Sequence, residues 1–350
     1  MTGVAERADV ADARALLSAR PQMSAVVPID RMRIARITAM SIYLAVYLYW
    51  LRTEGLPIDR ISVAISLFLF LVCAFIGKPL LTWAILIIDV ACYAVMWIAY
   101  EQTRGGADQL NFPRQLAAVR NIDRFLFFGH DPNVVLQNWL WRPTVQWYDW
   151  IFSSAYYSHF VFPVVVMAVL WAVSHRQWTR FMKRFATLLF VACLMFVFLP
   201  TIPPWMAGDT QRFSYRVLPP LHRDTWKGFY DLGFKGFVKS WRKGLNWGNE
   251  IAAMPSLHAS FALITVAFFL PWIQRTWVKA LMLCWPVVML FALVLYGEHW
   301  IIDGIAGWVI TGLSFLLWNR IERAIRRNRS KRARTALLAL GTPAPMAHAG

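Results

Sequence analysis

The sequence predicts an all-α integral membrane protein, a polytopic bundle of six to eight transmembrane helices. Of its 350 residues, 58% are hydrophobic and 16% are charged, whereas soluble domains contain roughly 45–50% apolar and about 25% charged residues. The 19 Trp and 11 Tyr residues point the same way, because amphipathic rings concentrate where a protein meets lipid headgroups. These observations argue against a water-soluble fold.

Apolar runs give the number of helices. A helix that crosses a bilayer core of about 30 Å needs about 20 mostly apolar residues. The runs that approach this length are 36–52, 61–77, 79–100, 152–173, 185–200, 258–273, 279–297 and 299–318. The fifth and sixth runs are short, and only the turn Tyr296-Gly297-Glu298 separates the last two, so six to eight spans are predicted.

The basic residues indicate a lipid partner. A net charge of +17 would also suit nucleic acid, but the Lys and Arg residues fall between the apolar runs rather than along one helix face. We therefore expect anionic membrane lipid, and no nucleic acid, as a partner.

The same residues predict the orientation, because short cytoplasmic loops carry an excess of Lys and Arg. Basic clusters occur at 31–36, 175–184, 275–279 and 323–334. Eight crossings place all four clusters inside the cell. The long segments between the third and fourth runs and between the fifth and sixth, together with the turn at 296–299, then lie on the extracytoplasmic face.

This topology divides the chain into four parts. They are a cytoplasmic N-terminal segment (1–35), N-terminal transmembrane helices (36–100), a catalytic membrane core (101–320) with extracytoplasmic loops 101–151 and 201–257, and a basic cytoplasmic tail (321–350). The composition fits a bacterial inner membrane, with the active site on its extracytoplasmic face.

Three polar residues meet on that face. His258 starts one predicted helix and His299 starts another, and Asp303 follows His299 by four residues. Residues four apart lie on the same side of a helix, so the Asp303 carboxylate can orient the His299 ring. An imidazole that is held through one nitrogen can attack an electrophile with the other. The pattern is that of an oriented nucleophile.

The residues before His258 suit an anion. Pro255 fits the first turn of a helix, whose backbone N–H groups favour phosphate, and Ser256 can add a hydroxyl donor. His258 would then protonate a leaving oxygen and later deprotonate an incoming hydroxyl. A single histidine near a helix end is more often a headgroup-level residue; the three polar residues together favour catalysis.

A metal site is the alternative for the same residues. His258, Glu298, His299 and Asp303 could supply nitrogen and oxygen ligands. Their spacing matches no compact metal motif. We therefore expect neither a metal nor a cofactor.

These residues resemble a known family. Pro255-Ser256-Leu257-His258 and His299-x-x-x-Asp303 look like the second and third signature motifs of the type 2 phosphatidic acid phosphatase superfamily, particularly of its inositol phosphorylceramide synthase-like branch. The stretch from Pro200 to Trp205 is similar to a proline-rich segment of that branch, and Tyr157-Ser158-His159 to its Tyr-x-x-His-type element. The resemblance spans about residues 120–320.

The resemblance implies a six-helix core and a metal-independent phosphohistidine mechanism at an extracytoplasmic or luminal site. In it His299 is the nucleophile, Asp303 orients it, and His258 is the general acid and base. Arg142-Pro143 matches the end of the first family motif. The chain departs from the phosphatase pattern at Val135, where a Lys is expected, and at Ala292-Leu293, where Ser-Arg is expected.

The missing cations favour transfer to an alcohol over hydrolysis. Other residues must then bind phosphate, and we expect Arg142, Arg212 and Arg216 to take part, with His159 at a lipid headgroup. The segment 201–257 contains further basic residues: Arg223, Lys227, Lys235, Lys239, Arg242 and Lys243. A solvated loop that is attracted to headgroups is the alternative for each of them.

Three functions follow as hypotheses. The first is a phosphotransferase with a lipid phosphate or phospholipid as donor and an alcohol as acceptor, and the second is a lipid phosphatase with water as acceptor. The third is a transporter or scaffold in which His299 and Asp303 handle protons or a ligand. Transporters place polar sites near the membrane midplane, whereas these residues gather at one interface.

One further polar residue lies inside an apolar run. Asp89 sits in the middle of the third run, and an intramembrane carboxylate is by default a functional candidate. It lies about half a bilayer from the predicted site. We therefore expect it to pair with a buried tyrosine or a similar residue instead.

Overall fold

The computed structural model describes residues 31–54, 60–106, 110, 112–209, 217–231 and 251–341. The helices of these residues are α1 (Arg31–Thr53), α2 (Arg60–Phe75), α3 (Leu80–Gly106), α4 (Ala117–Leu126), α5 (Pro132–Leu140), α6 (Trp147–Val173), α7 (His175–Phe198), α8 (Pro204–Ala207), α9 (Lys227–Asp231), α10 (Leu257–Phe269), α11 (Thr276–Leu295) and α12 (Ile301–Gly341). A 3-10 turn at Leu270–Trp272 extends α10. The described residues form no strand.

The predicted fold class is confirmed. Every predicted apolar run is helical. Among the described residues, six helices are long and apolar enough to cross a membrane: α1, α3 as far as Thr103, α6, α7, α11 and the first 32 residues of α12. The other two, α2 and α10, contain 16 and 13 residues. The protein is an integral, multi-pass membrane protein.

Helix α7 is longer than its apolar run, which begins at residue 185. The helix begins at His175, where the Ser174 hydroxyl accepts a hydrogen bond from the Gln177 N–H at 3.4 Å. Its basic first turns are held by α12, since Glu322 forms ion pairs at 3.0 Å with both Arg180 and Arg184. We call this end of the bundle the basic end.

The opposite end collects the connecting segments, and we call it the loop-rich end. Thr201, after α7, forms isolated parallel bridges with Gln115, before α4, and with Ala252, before α10. The Gln115 N–H donates to the Pro200 carbonyl at 2.7 Å, and the Ile202 N–H donates to the Gln115 carbonyl at 3.0 Å. These bonds bring the entrances of α4 and α10 to the exit of α7.

A close approach of α12 to α10 positions the residues of interest. A Cβ added at Gly307 would lie 2.6 Å from the Ser256 carbonyl oxygen and 2.4 Å from the Ser260 hydroxyl. Only glycine fits such a contact. A hydrophobic core cluster that includes Phe185 of α7, Ile264 of α10 and Ile310 of α12 packs along the same helices. The first turns of α10 and α12 are therefore held side by side.

Candidate active site

The turn between α11 and α12 carries His299. Gly297 adopts a φ of +67° there, a conformation that side chains with a Cβ rarely take. The Glu298 N–H bonds back to the Leu293 carbonyl at 2.9 Å. The turn thereby ends α11 and aims His299 back toward α10.

Two buried amides of α5 fix this turn from outside. The Asn133 side-chain amide donates to the carbonyls of Val294 at 2.9 Å and His299 at 3.1 Å. The Gln137 amide donates to the Leu295 carbonyl at 2.8 Å. Sequence reasoning did not find either residue, because both act through backbone atoms that lie 161 and 158 residues away.

A carboxylate of α4 caps the start of α12. The N–H groups of Ile301 and Ile302 donate to the two Asp123 carboxylate oxygens at 2.7 and 2.9 Å. A carboxylate also complements the positive end of the helix dipole. Burial raises the pKa of Asp123 to about 7, although both backbone hydrogen bonds act to lower it.

Asp303, His299 and His258 form a row, which we call the catalytic row after the role expected of it. The His299 Nδ1 lies 3.3 Å from Asp303 Oδ2, and the His299 Nε2 lies 3.3 Å from the His258 Nδ1. Asp303 is fully buried, and the same Oδ2 atom accepts a hydrogen bond from the Trp300 N–H at 2.9 Å. With a proton on Nδ1 directed at Asp303, the Nε2 lone pair of His299 points toward His258, and Nε2 is the nitrogen that can act as a nucleophile.

Aromatic rings of α6 line the other side of His258. Its ring centroid lies 3.8 Å from that of His159 and 4.9 Å from that of Tyr156. The His159 Nδ1 is hydrogen-bonded to the Tyr156 carbonyl, which fixes the ring. The structure therefore brings the predicted residues His159, His258, His299 and Asp303 together.

Ser256 supports the row through its own helix. The residue is buried, its hydroxyl accepts the Ala259 N–H at 3.4 Å, and its N–H donates to the Asp303 backbone carbonyl at 2.9 Å. The residue thus caps α10 and ties it to α12. These contacts hold the first turn of α10, which carries His258, and the donation of the Ser256 hydroxyl to phosphate stays a prediction.

The predicted phosphate-binding arginines have different outcomes. The Arg142 side chain is exposed and donates to the Trp141 carbonyl at 2.8 Å, with no described contact to the catalytic row. Arg212 and Arg216 lie outside the described residues. The same holds for Lys235, Lys239, Arg242 and Lys243.

Lys227 lies within the described residues, and its ammonium group contacts protein groups away from the catalytic row. It is buried beside Asp149, with its Nζ 3.4 Å from Asp149 Oδ2, and it donates to the Arg142 carbonyl. These contacts fasten α9 to the start of α6. The arrangement identifies Lys227 as a structural cation.

The described part of the chain contains no cluster of side chains that could bind a metal ion. No three His, Cys, Asp or Glu side chains converge there as ligands of one ion. The catalytic row offers instead a nucleophilic ring nitrogen, a carboxylate behind it and a second imidazole in front of it. That arrangement supports proton transfer and attack on phosphorus.

Comparison with known proteins identifies one family. The family model described as PAP2 superfamily matches residues 117–317, more than half of the chain. The matched region begins with α4 and ends inside α12, and it contains the catalytic row. No curated protein matches the chain, and no solved structure matches it.

Proposed function

Because the chain belongs to the PAP2 superfamily, we propose that it is a membrane phosphotransferase that works through a phosphohistidine at His299. The superfamily supports a phosphatase-type enzyme with lipid phosphate substrates in a membrane setting. The observation that carries the proposal is the catalytic row, in which Asp303 holds one nitrogen of His299 and the other faces His258. No metal or cofactor is needed for the steps below.

In the first step, the Nε2 lone pair of His299 attacks the phosphorus of a lipid phosphate or phospholipid. A P–N bond forms, and the P–O bond to the donor's leaving oxygen breaks. His258 gives its proton to that oxygen, so that the donor leaves as a neutral alcohol. Buried Asp303 stabilises the positive charge that develops on the His299 ring.

In the second step, the acceptor hydroxyl gives its proton to His258. The acceptor oxygen attacks phosphorus, and the P–N bond breaks. The phosphorylated acceptor leaves, His299 becomes neutral again and His258 is protonated for the next cycle. One imidazole thus serves first as acid and then as base.

We propose an alcohol rather than water as the acceptor. The support is the absence of the phosphatase cations, since Val135 and Ala292-Leu293 stand where the phosphatase pattern has Lys and Ser-Arg. This favours the inositol phosphorylceramide synthase-like branch. Release of inorganic phosphate from a lipid phosphate without any added alcohol would instead favour a lipid phosphatase.

We also propose that the site faces the extracytoplasmic side. The catalytic row lies at the loop-rich end, whereas the clustered Arg and Lys of short connections lie at the basic end. A cysteine placed at exposed His130, in the turn after α4, should react in intact cells with a thiol reagent that does not cross membranes.

The decisive experiment replaces the nucleophile. We expect His299→Ala to lose turnover and to form no acid-labile phosphorylated histidine after incubation with a labelled lipid phosphate. Exposed His130 at the same end of the bundle provides the matched control, and His130→Ala should retain activity and labelling. Undiminished turnover by a folded His299→Ala protein would rule out the mechanism.

A further inference from the structure

A bidentate ion pair lies next to the proposed nucleophile. The Arg223 Nε and Nη2 atoms lie 2.8 and 2.9 Å from the two carboxylate oxygens of Glu298. Glu298 directly precedes His299, and its side chain is 10% exposed. The pair therefore ties the segment before α9 to the turn that carries His299.

Trp205 braces the same arginine. The Arg223 guanidinium carbon lies 4.0 Å from the centroid of the Trp205 ring. The backbone N–H of Trp205 donates to the Gly297 carbonyl at 2.9 Å. An arginine that is both paired and stacked has few rotamers left, so little freedom remains to be lost when it binds a ligand.

The guanidinium also lies within electrostatic reach of Tyr156, beside the catalytic row. Burial opposes the charge on Arg223, but Glu298 and then Tyr156 act the other way, and the pKa of Arg223 lies above its ordinary value. Tyr156 is the residue whose ring lies 4.9 Å from the His258 ring. The arginine and the general acid thus share one neighbour.

Glu298 uses only part of the arginine. A guanidinium has five N–H groups, and among the described residues none accepts a hydrogen bond from Nη1. The Arg223 side chain is 28% exposed, so part of it reaches solvent. Arg120, Lys227 and Arg142, other described cations of this end, bond to Asp131, to Asp149 and to the Trp141 carbonyl.

We propose that Arg223 binds the phosphate group of the substrate through the guanidinium edge that Glu298 leaves unused. Glu298 and Trp205 are positioning residues for that edge. The inference rests on the proposed function, and it supplies the cation that the chain lacks at Val135 and Ala292-Leu293. Arginine suits this role because its planar fork matches phosphate oxygens.

The test measures anion binding and turnover separately. The full-length protein in detergent is titrated with orthovanadate, and KM and kcat are measured with a lipid phosphate. We expect Arg223→Gln to weaken vanadate binding about tenfold or more and to raise KM more than it lowers kcat, as loss of a hydrogen bond to a charged group predicts.

Two further variants control for folding. Arg223→Gln leaves a nearly buried Glu298 without its partner, so the double variant Arg223→Gln/Glu298→Gln removes both charges and should show the same weakened vanadate binding. Arg124→Gln changes an arginine at the same end, whose side chain bonds to the Gly129 carbonyl, and it should bind vanadate as the unmodified protein does.

The outcomes separate this inference from the proposed function. Vanadate binding that is unchanged in the double variant overturns the role of Arg223, whatever the activity. Vanadate binding that depends on Arg223 in a protein without lipid phosphate turnover or phosphohistidine supports the anion site and contradicts the phosphotransferase.

Discussion

At the scale of single residues, Asp123 is the least expected feature of the site. A carboxylate is kept fully buried because two backbone N–H groups of α12 need an acceptor and no helical partner exists for them. The hydrogen bonds offset the cost of burial only in part, and its pKa is raised to about 7. We therefore expect the start of α12 to be sensitive to pH.

This sensitivity gives a prediction about stability. The ordinary pKa of an aspartate is 3.8, whereas the pKa of Asp123 in the folded protein is about 7. The folded protein therefore holds this proton more tightly than the unfolded chain does. The stabilisation is present in full below about pH 4 and is lost as pH rises through 7, by up to about 4 kcal/mol. We expect the melting temperature of the detergent-solubilised protein to fall between pH 5 and pH 8.

The Asp123→Asn protein tests the assignment. Asn cannot titrate, so its melting temperature should change less over the same pH range. At acid pH it should be less stable by about 1 kcal/mol, because the protonated carboxyl keeps an oxygen opposite each of the two N–H groups, whereas the amide NH2 cannot accept. Parallel pH profiles of the two proteins would show that another group causes the change.

The sequence predicted which polar side chains meet at the site better than it predicted the residues that hold them in place. His258, His299 and Asp303 stand out because their spacing encodes a helix face and a motif. Asp123 and Asn133 leave no such pattern, because they bond to backbone atoms. The side chains of those partner residues therefore give no sign of the contact. For the same reason nothing in the sequence joined Arg223 to Glu298.

The partners of the intramembrane residue Asp89 are a tryptophan and a histidine rather than a tyrosine. We expected a buried tyrosine or a similar partner inside the membrane. Its Oδ2 accepts hydrogen bonds from the Trp171 Nε1 at 2.9 Å and pairs with the His175 Nε2 at 2.8 Å. The contact joins α3 to the junction of α6 and α7 near the basic end, away from the catalytic row.

At the scale of helices, the contact of α12 with α10 sets the spacing of the two histidines. Gly307 has no room for a Cβ, whereas a Cβ added at Gly312 on the same helix would meet nothing within 4 Å. The pair offers a matched comparison in which the same methyl group is added to the same helix.

We expect Gly307→Ala to lower kcat by about tenfold to a hundredfold, because a displacement near 1 Å at a reacting centre costs this much. Gly312→Ala should leave kcat unchanged. Both variants are compared with a lipid phosphate substrate and checked for folding by size-exclusion chromatography. Equal kcat values would show that α12 does not set the distance between His258 and His299.

Helix positions followed from hydropathy wherever the bilayer dictates them. The start of α7 did not, because its basic first turns are stabilised by Glu322 of another helix. Helices α4 and α5 were not predicted either, since they are short and lie in a segment that we regarded as a connecting loop. Composition cannot identify helices whose stability comes from contacts with distant segments.

At the scale of the whole molecule, the two ends of the bundle have different tasks. The loop-rich end assembles the catalytic row, and the basic end locks α7 to α12. Arg184 is almost fully buried there, and it donates to Glu322 at 3.0 Å and to the Asn319 side chain at 2.7 Å. The composition alone predicted the fold class, because a bilayer permits few alternatives to a helix bundle.

A substitution at the basic end should therefore change the stability of the protein without changing its catalysis. We expect Glu322→Gln to destabilise the protein by about 3 kcal/mol, the cost of leaving a buried charge without its partner, with KM unchanged. Exposed Arg323 is the neighbouring control, and Arg323→Gln should alter neither property. Melting temperature and KM are measured on the same preparations, and an altered KM in Glu322→Gln would contradict the separation.

The bonds from α4 and α5 to the start of α12 also determine when a newly synthesised chain becomes competent. Asp123, Asn133 and Gln137 leave the ribosome long before their backbone partners at residues 294–302. Their polar groups lack these partners until the turn at His299 and the start of α12, which carries Asp303, are synthesised. A chain released before that helix is made has no nucleophile, so phosphoryl transfer of the proposed kind begins only after α12 has been synthesised.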